Sequence, residues 1–413
     1  MLLQSIPLVF VLIGLALYAV LGGADFGAGF WQLFAGRGEH ARRIREQAHH
    51  SMGPVWEANH VWLIFVLTVF WTSYPKAFGS IASTLGVVLF IAALGIIFRG
   101  AAYALRAGAS GEREAGTIDT IFALSSILTP FALGAAIGAV ATNRVPVGNA
   151  AGRLFSSWLN PTSIFIGVLA VASCAYLAAV YLAADAARDG HHALERDFRL
   201  RALGAGILTG AIAAAGIFVV NADSHRLFHS LLTGPAVAAV IVSFLAGLAT
   251  LILIYQRRYE PGRYFAAIAV AAIVAGWALA RWPTILPGLT VGQAAAEHDT
   301  LVWVIVSVLG GSAILFPSLA VLFRLALAGR FSAVQAAEPE RPGQVLAAAR
   351  TGLLTRLAIA LLIAGFGLLN VADAEWAHAV GIVCLFWFVV LGFRAIIFMP
   401  GGLTAPDLDD QRQ

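Results

Sequence analysis

The run Gly53-Pro54-Val55-Trp56-Glu57-Ala58-Asn59-His60-Val61-Trp62 leads into an apolar stretch, residues 56 to 73, and the fold class turns on how that junction is read. It sets a carboxylate, an amide and an imidazole in the opening turns of a helix long enough to cross a membrane. An ionisable side chain carried to the centre of such a helix costs roughly 2.5 to 3.5 kcal/mol on insertion scales, so one that is kept faces a partner, a cavity or a proton path. The tryptophans suit either an interface position or packing against a cofactor.

Composition around this junction agrees with a membrane setting. Of the 413 residues 60% are hydrophobic and 12% charged, and the mean hydropathy is +0.85, values at which a water-soluble domain of this size would aggregate. The chain therefore reads as an all-α polytopic membrane protein. Its first 30 residues lack a basic n-region and Asp25 interrupts the chemistry of a cleavage site, so they are expected to remain as the first spanning helix. Cys174 and Cys384 both fall in apolar stretches, which argues against a disulfide framework or a thiolate metal site. The net charge of +4 comes from loop arginines and points to topology rather than nucleic acid.

Eleven runs are long enough to span, near 6–31, 56–73, 80–104, 118–141, 162–184, 203–222, 231–254, 264–281, 300–323, 353–370 and 378–398. Loop charge tests that count. Connections from odd to even runs hold 18 basic residues and the opposite loops hold five, namely Lys76, Arg144, Arg153, Arg226 and Arg281. Such strict alternation predicts an outside N-terminus and a cytoplasmic C-terminus. Residues 324 to 352 turn polar and read as a cytoplasmic linker, so the last two runs form a hairpin, joined at 370 to 376, appended to a core of about nine helices. The expected organisation is a core over 1–335, with linker, hairpin and tail over 336–413.

Polar residues at membrane depth are few. Asp25 lies within Gly22-Gly23-Ala24-Asp25-Phe26-Gly27-Ala28-Gly29, whose small residues allow close helix contact; the acid is either buried there or placed at the cytoplasmic interface. Glu57 sits where a helix dipole favours a carboxylate, and beside Asn59 and His60 it also suits proton movement. Arg99 and Asp119 fall at neighbouring helix ends and could pair, or serve as separate end charges. Pro130 reads as a kink, and Asn160-Pro161 as a helix start. His40, His49, His50, His191, His192 and His298 fall in loops, and His225, His229 and His378 near outer helix ends. Only His60 reaches the interior, better explained as a buried side chain than as a haem ligand.

On these residues the sequence resembles subunit II of the cytochrome bd-type quinol oxidases. The resemblance rests on Gly23-Ala24-Asp25-Phe26-Gly27-Ala28-Gly29, Trp56-Glu57-Ala58-Asn59-His60-Val61-Trp62-Leu63, Phe98-Arg99, Leu159-Asn160-Pro161, and Gly276-Trp277 with Trp282-Pro283 and Pro287. It runs from the N-terminus to about residue 325; residues 336 to 413 lie outside it. It implies two four-helix bundles plus a peripheral helix. It also implies a haem-free subunit packed against a subunit I that carries haems b558, b595 and d and the quinol-binding loop. Such a complex, in a bacterial or archaeal-type cell membrane, oxidises quinol outside and reduces oxygen to water with cytoplasmic protons, and it can bind small single-helix accessory subunits and membrane lipid.

Residue by residue, the resemblance implies that Glu57 is the catalytic carboxylate of the proton route, standing where the family has Asp. Asp25, Asn59, His60, Arg99 and Asp119 are implied to be auxiliary, and Trp62 to border an oxygen route. The family's other first-helix acid is replaced by Gly22, and its Gly-Asn-Gln by Ala58-Asn59-His60. No metal ligand is expected. A secondary transporter with intramembrane acids is the alternative, although paired helix interruptions are not evident in the sequence; a purely structural scaffold would leave the buried acids without a reason.

Overall fold

The computed structural model describes residues 2–36, 38–52, 56–106, 112–327, 353–371 and 375–397. It is built of helices: α1 (Leu2–Leu17), a π turn (Tyr18–Gly22), α2 (Gly23–Leu33), α3 (Glu39–Met52), α4 (Trp56–Ser73), α5 (Pro75–Thr84), α6 (Gly86–Arg106), α7 (Glu112–Ala141), α8 (Pro161–Arg188), α9 (His192–Asp223), α10 (His225–Leu232), α11 (Ala236–Tyr255) and α12 (Tyr259–Arg281). A short hairpin, β1 (Thr284–Leu286) with β2 (Leu289–Thr290), then leads through α13 (Val291–Ala294) into α14 (His298–Leu327). Two further helices are α15 (Leu353–Val371) and α16 (Glu375–Ile397).

Among the described residues eight stretches are long and apolar enough to cross a membrane, and the shorter apolar helices Asn59–Ser73, Arg356–Gly365 and Ala379–Leu391 fall on the other three expected runs. The all-α polytopic reading is therefore what the chain adopts. Its large apolar side chains point outward as lipid contact requires, with Phe90 64%, Phe218 76% and Trp303 69% exposed. Asn160 starts α8 as its side chain accepts from Ser163 N at 3.0 Å, with Pro161 in the first turn. α7 runs on through Pro130.

Boundaries differ where charged segments stay helical. α9 starts at His192 rather than near 203, because Leu194, Phe198 and Ala202 form a buried stripe at helical spacing that ties the charged first turns to the core. α3, the first half of α5 and most of α10 occupy segments read as loops, and the run expected over 80–104 is broken between α5 and α6. In α3, Ala41, Ile44 and Gln47 are buried on one face while Arg42 and Arg43 pair with Glu39 on the other.

The chain divides into two compact units, Met1–Ile314 and Leu315–Gln413. In the first, α2, α7 and α8 pack on one another, α6 on α7, α9 and α12 on α8, α11 on α12, and α1 on α4. One hydrophobic cluster gathers Val20, Leu177, Leu182, Phe198 and Ile254, and a second gathers Tyr74, Leu85, Val88, Trp158 and Leu286. Asp223 joins helix ends by pairing with Arg144 at 2.7 Å and accepting from Thr162 Oγ1 at 2.7 Å. In the second unit α15 packs on α16, where a Cβ at Gly365 would lie 2.8 Å from Leu385 Cγ. The first residues of the expected linker, 324–327, continue α14; the rest of it, the tail and the turn residues 372–374 lie outside the described residues.

Close approach of α2 to α8 depends on Gly27, where a Cβ would lie 1.9 Å from the Cys174 carbonyl oxygen. Neither backbone can yield locally. Gly27→Leu is expected to cost about 3 kcal/mol, the upper end for overpacking, read as a lower melting temperature of the purified protein. Gly210→Ala, where nothing lies within 4 Å, should be neutral and serves as the control.

Candidate functional site

The first spanning helix changes pitch as it nears its polar motif. A π turn over Tyr18–Gly22 adds one residue to the turn and mismatches backbone carbonyls with the α ladder. Asn59, buried at the start of α4, meets one of them: its Nδ2 donates to the Leu21 carbonyl at 3.3 Å. α2 then carries Asp25 inward, and Gly29 lets it come close to α6 and α7. A Cβ at Gly29 would lie 2.2 Å from Ser126 Oγ and 3.0 Å from Arg99 Nη1.

What this approach assembles is an ion pair sealed from solvent, Asp25 being 0% and Arg99 1% exposed. Arg99 Nη2 donates to Asp25 Oδ1 at 2.5 Å and to the Asp25 carbonyl at 3.0 Å, and Nη1 donates to Ser126 Oγ. Ser126 Oγ is placed in turn by donating to the Phe122 carbonyl at 2.5 Å. Aromatic faces complete the cage, with the guanidinium carbon 4.2 Å from the Phe122 ring centroid and 5.1 Å from that of Phe26. Asp25 Oδ2 and the Tyr18 hydroxyl are buried and have no hydrogen-bond partner among the described residues. The His60 ring stands 6.2 Å from Tyr18 and 6.1 Å from Phe26 by centroids. Trp62 packs partly buried against the same apolar cluster of Tyr18, Phe26 and Cys174.

Several site residues expected from the sequence thus gather around one point: Asp25 and Arg99 in contact, Asn59 on the π turn, and His60 and Trp62 beside them. Glu57 lies two residues before Asn59 in the first turn of α4, and its side chain falls outside the described residues. Asp119 is not among them. Rather than pairing with Arg99 it accepts from Arg106 Nε at 2.7 Å, both side chains being partly exposed. The reason is register. α6 and α7 are antiparallel, Arg106 stands seven residues after Arg99, and Asp119 stands seven before Ser126, so two turns separate the two contacts. Such a partly exposed pair contributes at most about 1 kcal/mol. Sequence reasoning missed Tyr18, Phe122 and Ser126. The same antiparallel register would have placed Ser126 opposite Arg99.

Known proteins resemble this chain over most of its length. A family model described as cytochrome bd terminal oxidase subunit II matches residues 3–326. The chain belongs to that family. It is 26% identical over 223 residues to cytochrome bd-I ubiquinol oxidase subunit 2 of Escherichia coli K12, a match covering 51% of this chain and 56% of that one. It is 29% identical over 114 residues to cytochrome bd ubiquinol oxidase subunit 2 of Bacillus subtilis, covering 28% and 33%. It is also 24% identical over 319 residues to the putative cytochrome bd menaquinol oxidase subunit II of Bacillus subtilis, covering 73% and 89%. The matches to the first two thus span only about half and a third of those relatives. A solved bd oxidase from Geobacillus thermodenitrificans superposes with a TM-score of 0.63 at 26% identity, over 79% of this chain and 99% of that one.

As a bd oxidase subunit II family member the chain is a multi-pass membrane protein, and the family's haems raise the question of ligands. Among the described residues no three His, Cys, Asp or Glu side chains are grouped as a metal would need. His60 stands beside the rings of Tyr18 and Phe26.

Proposed function

We propose that the chain is the haem-free subunit II of a membrane quinol:oxygen oxidoreductase and that its buried polar cluster serves proton delivery to the oxygen-reducing centre. In the balanced reaction two quinols yield two quinones, four protons and four electrons, and these electrons with four cytoplasmic protons reduce one oxygen molecule to two waters. Haems b558, b595 and d, held by a subunit I partner, would carry the electrons and bind oxygen. The observation that carries this reading is the Asp25–Arg99 pair, sealed in apolar helices with Asp25 Oδ2 uncommitted and Asn59 and His60 close by. Arg99 fixes Oδ1, so Oδ2 is the oxygen left to meet a donor. Glu57, in the first turn of α4, is the proton carrier, with Asp119 toward the surface and Trp62 beside an apolar oxygen route.

Arginine-rich loops support a cytoplasmic side for this end of the bundle, with the N-terminus outside and the C-terminus inside. The reading includes the two four-helix bundles and peripheral helix of the family and small accessory subunits at its edge. It also treats 1–335 as the functional core, with 336–413 as a linker and a supporting hairpin.

The test is purification of the tagged chain, once from membranes that contain its partner and once expressed alone. A coloured, quinol-oxidising complex is expected from the first, and no Soret band from the second even with added haem. A stoichiometric haem spectrum from the isolated chain, or a colourless self-sufficient oligomer from native membranes, would overturn the reading.

A further inference from the structure

A groove of about 500 Å³ runs along α9 against α2, α7 and α8, walled by apolar side chains such as Phe131, Val168, Leu208 and Ile212, with Arg201 at one end. That volume lies within the ~300–1,000 Å³ range of ligand sites. It opens sideways, Val168 being 43% and Leu208 59% exposed. Arg201 is the one charged residue in it. Its guanidinium lies 5.1 Å from the Trp31 ring and 5.4 Å from the Phe198 ring, and its Nη1 is buried with no hydrogen-bond acceptor. Trp31 is itself held by its indole N–H donating to the Ala175 carbonyl at 2.8 Å. The groove thus offers a fixed cation whose buried Nη1 lacks an acceptor, although Asp197 one turn earlier on α9 bears on its charge, and an apolar trough leading away from it.

Position along the helix says what suits both features. Arg201 is the last charge before the uncharged run 202–222, so it marks where α9 enters the hydrocarbon. From Arg201 to Ile212 is eleven residues, or about 16 Å of helix, close to the ~15 Å depth of one leaflet. We infer that this groove binds one anionic phospholipid, its phosphodiester on Arg201 and one acyl chain laid along α9 to Ile212. An isoprenoid chain would fill the trough but leave the buried Nη1 without an acceptor, and a free phosphate would leave the trough empty.

The test is native mass spectrometry of the intact complex purified with its lipids, comparing wild type with two variants. Arg201→Leu keeps the apolar stem and is expected to weaken anionic phospholipid binding about 5-fold. Gly204→Phe projects a ring from a position with nothing within 4 Å, and should remove the lipid whatever its head group, with melting temperature unchanged. After delipidation, phosphatidylglycerol should rebind ahead of phosphatidylcholine of the same chain length, and glycerol phosphate should not displace it. Equal phospholipid counts in all three proteins would overturn the inference. So would an isoprenoid quinone as the molecule lost on Gly204→Phe, or binding indifferent to head-group charge.

Discussion

Replacing Asp25 by Leu is expected to destabilise the assembled protein by about 3–5 kcal/mol, the range for removing one partner of a buried ion pair. Arg99→Leu should cost less. The asymmetry follows from what each change leaves behind. An arginine cannot shed its charge, so Asp25→Leu leaves a cation in an apolar cage with, among the described residues, the residue-25 carbonyl and Ser126 as acceptors. A carboxylate left without Arg99 can instead take up a proton. The double variant Asp25→Leu with Arg99→Leu removes both charges and should recover to within about 1 kcal/mol of wild type, because an apolar pair of similar volume is often neutral in such a site. Melting temperatures of the four proteins complete a double-mutant cycle. Losses that simply add in the double variant would show that the pair is not coupled. Restored stability without restored turnover is the outcome expected if Asp25 also takes part in proton delivery.

Much of this architecture was legible because a spanning helix declares itself by length and apolarity alone. The eleven runs fall on helices, although 80–104 takes in the break between α5 and α6 and 231–254 the one between α10 and α11, and Asn160-Pro161 marks the start of α8 as cap chemistry predicts. The parts that were not legible depend on contacts between helices. Nothing in Tyr18-Ala19-Val20-Leu21-Gly22 announces a π turn, whose carbonyl partner, Asn59, arrives from a different helix. Arg99 and Asp119 look adjacent when each is placed at a helix end, yet a shift of two turns gives Arg99 to Asp25 and Asp119 to Arg106. Gly29 shows the same limit. A small residue in a glycine-rich motif signals close packing, but only the fold reveals that the neighbour it admits is the Arg99–Ser126 contact.

Glu57→Gln is expected to lower quinol-dependent oxygen consumption by about 10²-fold, the lower end of what a positioned proton-transfer group contributes. The amide keeps the shape and hydrogen-bonding capacity of the side chain and its place in the first turn of α4, but it cannot pass a proton on. Haem content, subunit ratio and melting temperature should match wild type, which separates a proton-transfer defect from an assembly defect. The loss should fall on kcat with KM for quinol unchanged, because under the proposed function quinol would be bound by the partner and only a step after its arrival slowed. Glu57→Asp should retain most turnover, since the carboxylate survives and loses only one methylene of reach. His60→Gln offers a further comparison. Asn59 already holds the π turn through Leu21, so an amide at position 60 leaves that contact intact and should cost far less than Glu57→Gln. Oxygen-electrode rates, together with proton uptake in liposomes that contain the complex, would measure all three. If a fully assembled Glu57→Gln complex turned over and took up protons at the wild-type rate, the proton route would have to avoid Glu57, leaving Asp25 Oδ2 as the carboxylate oxygen of the cluster open to a donor.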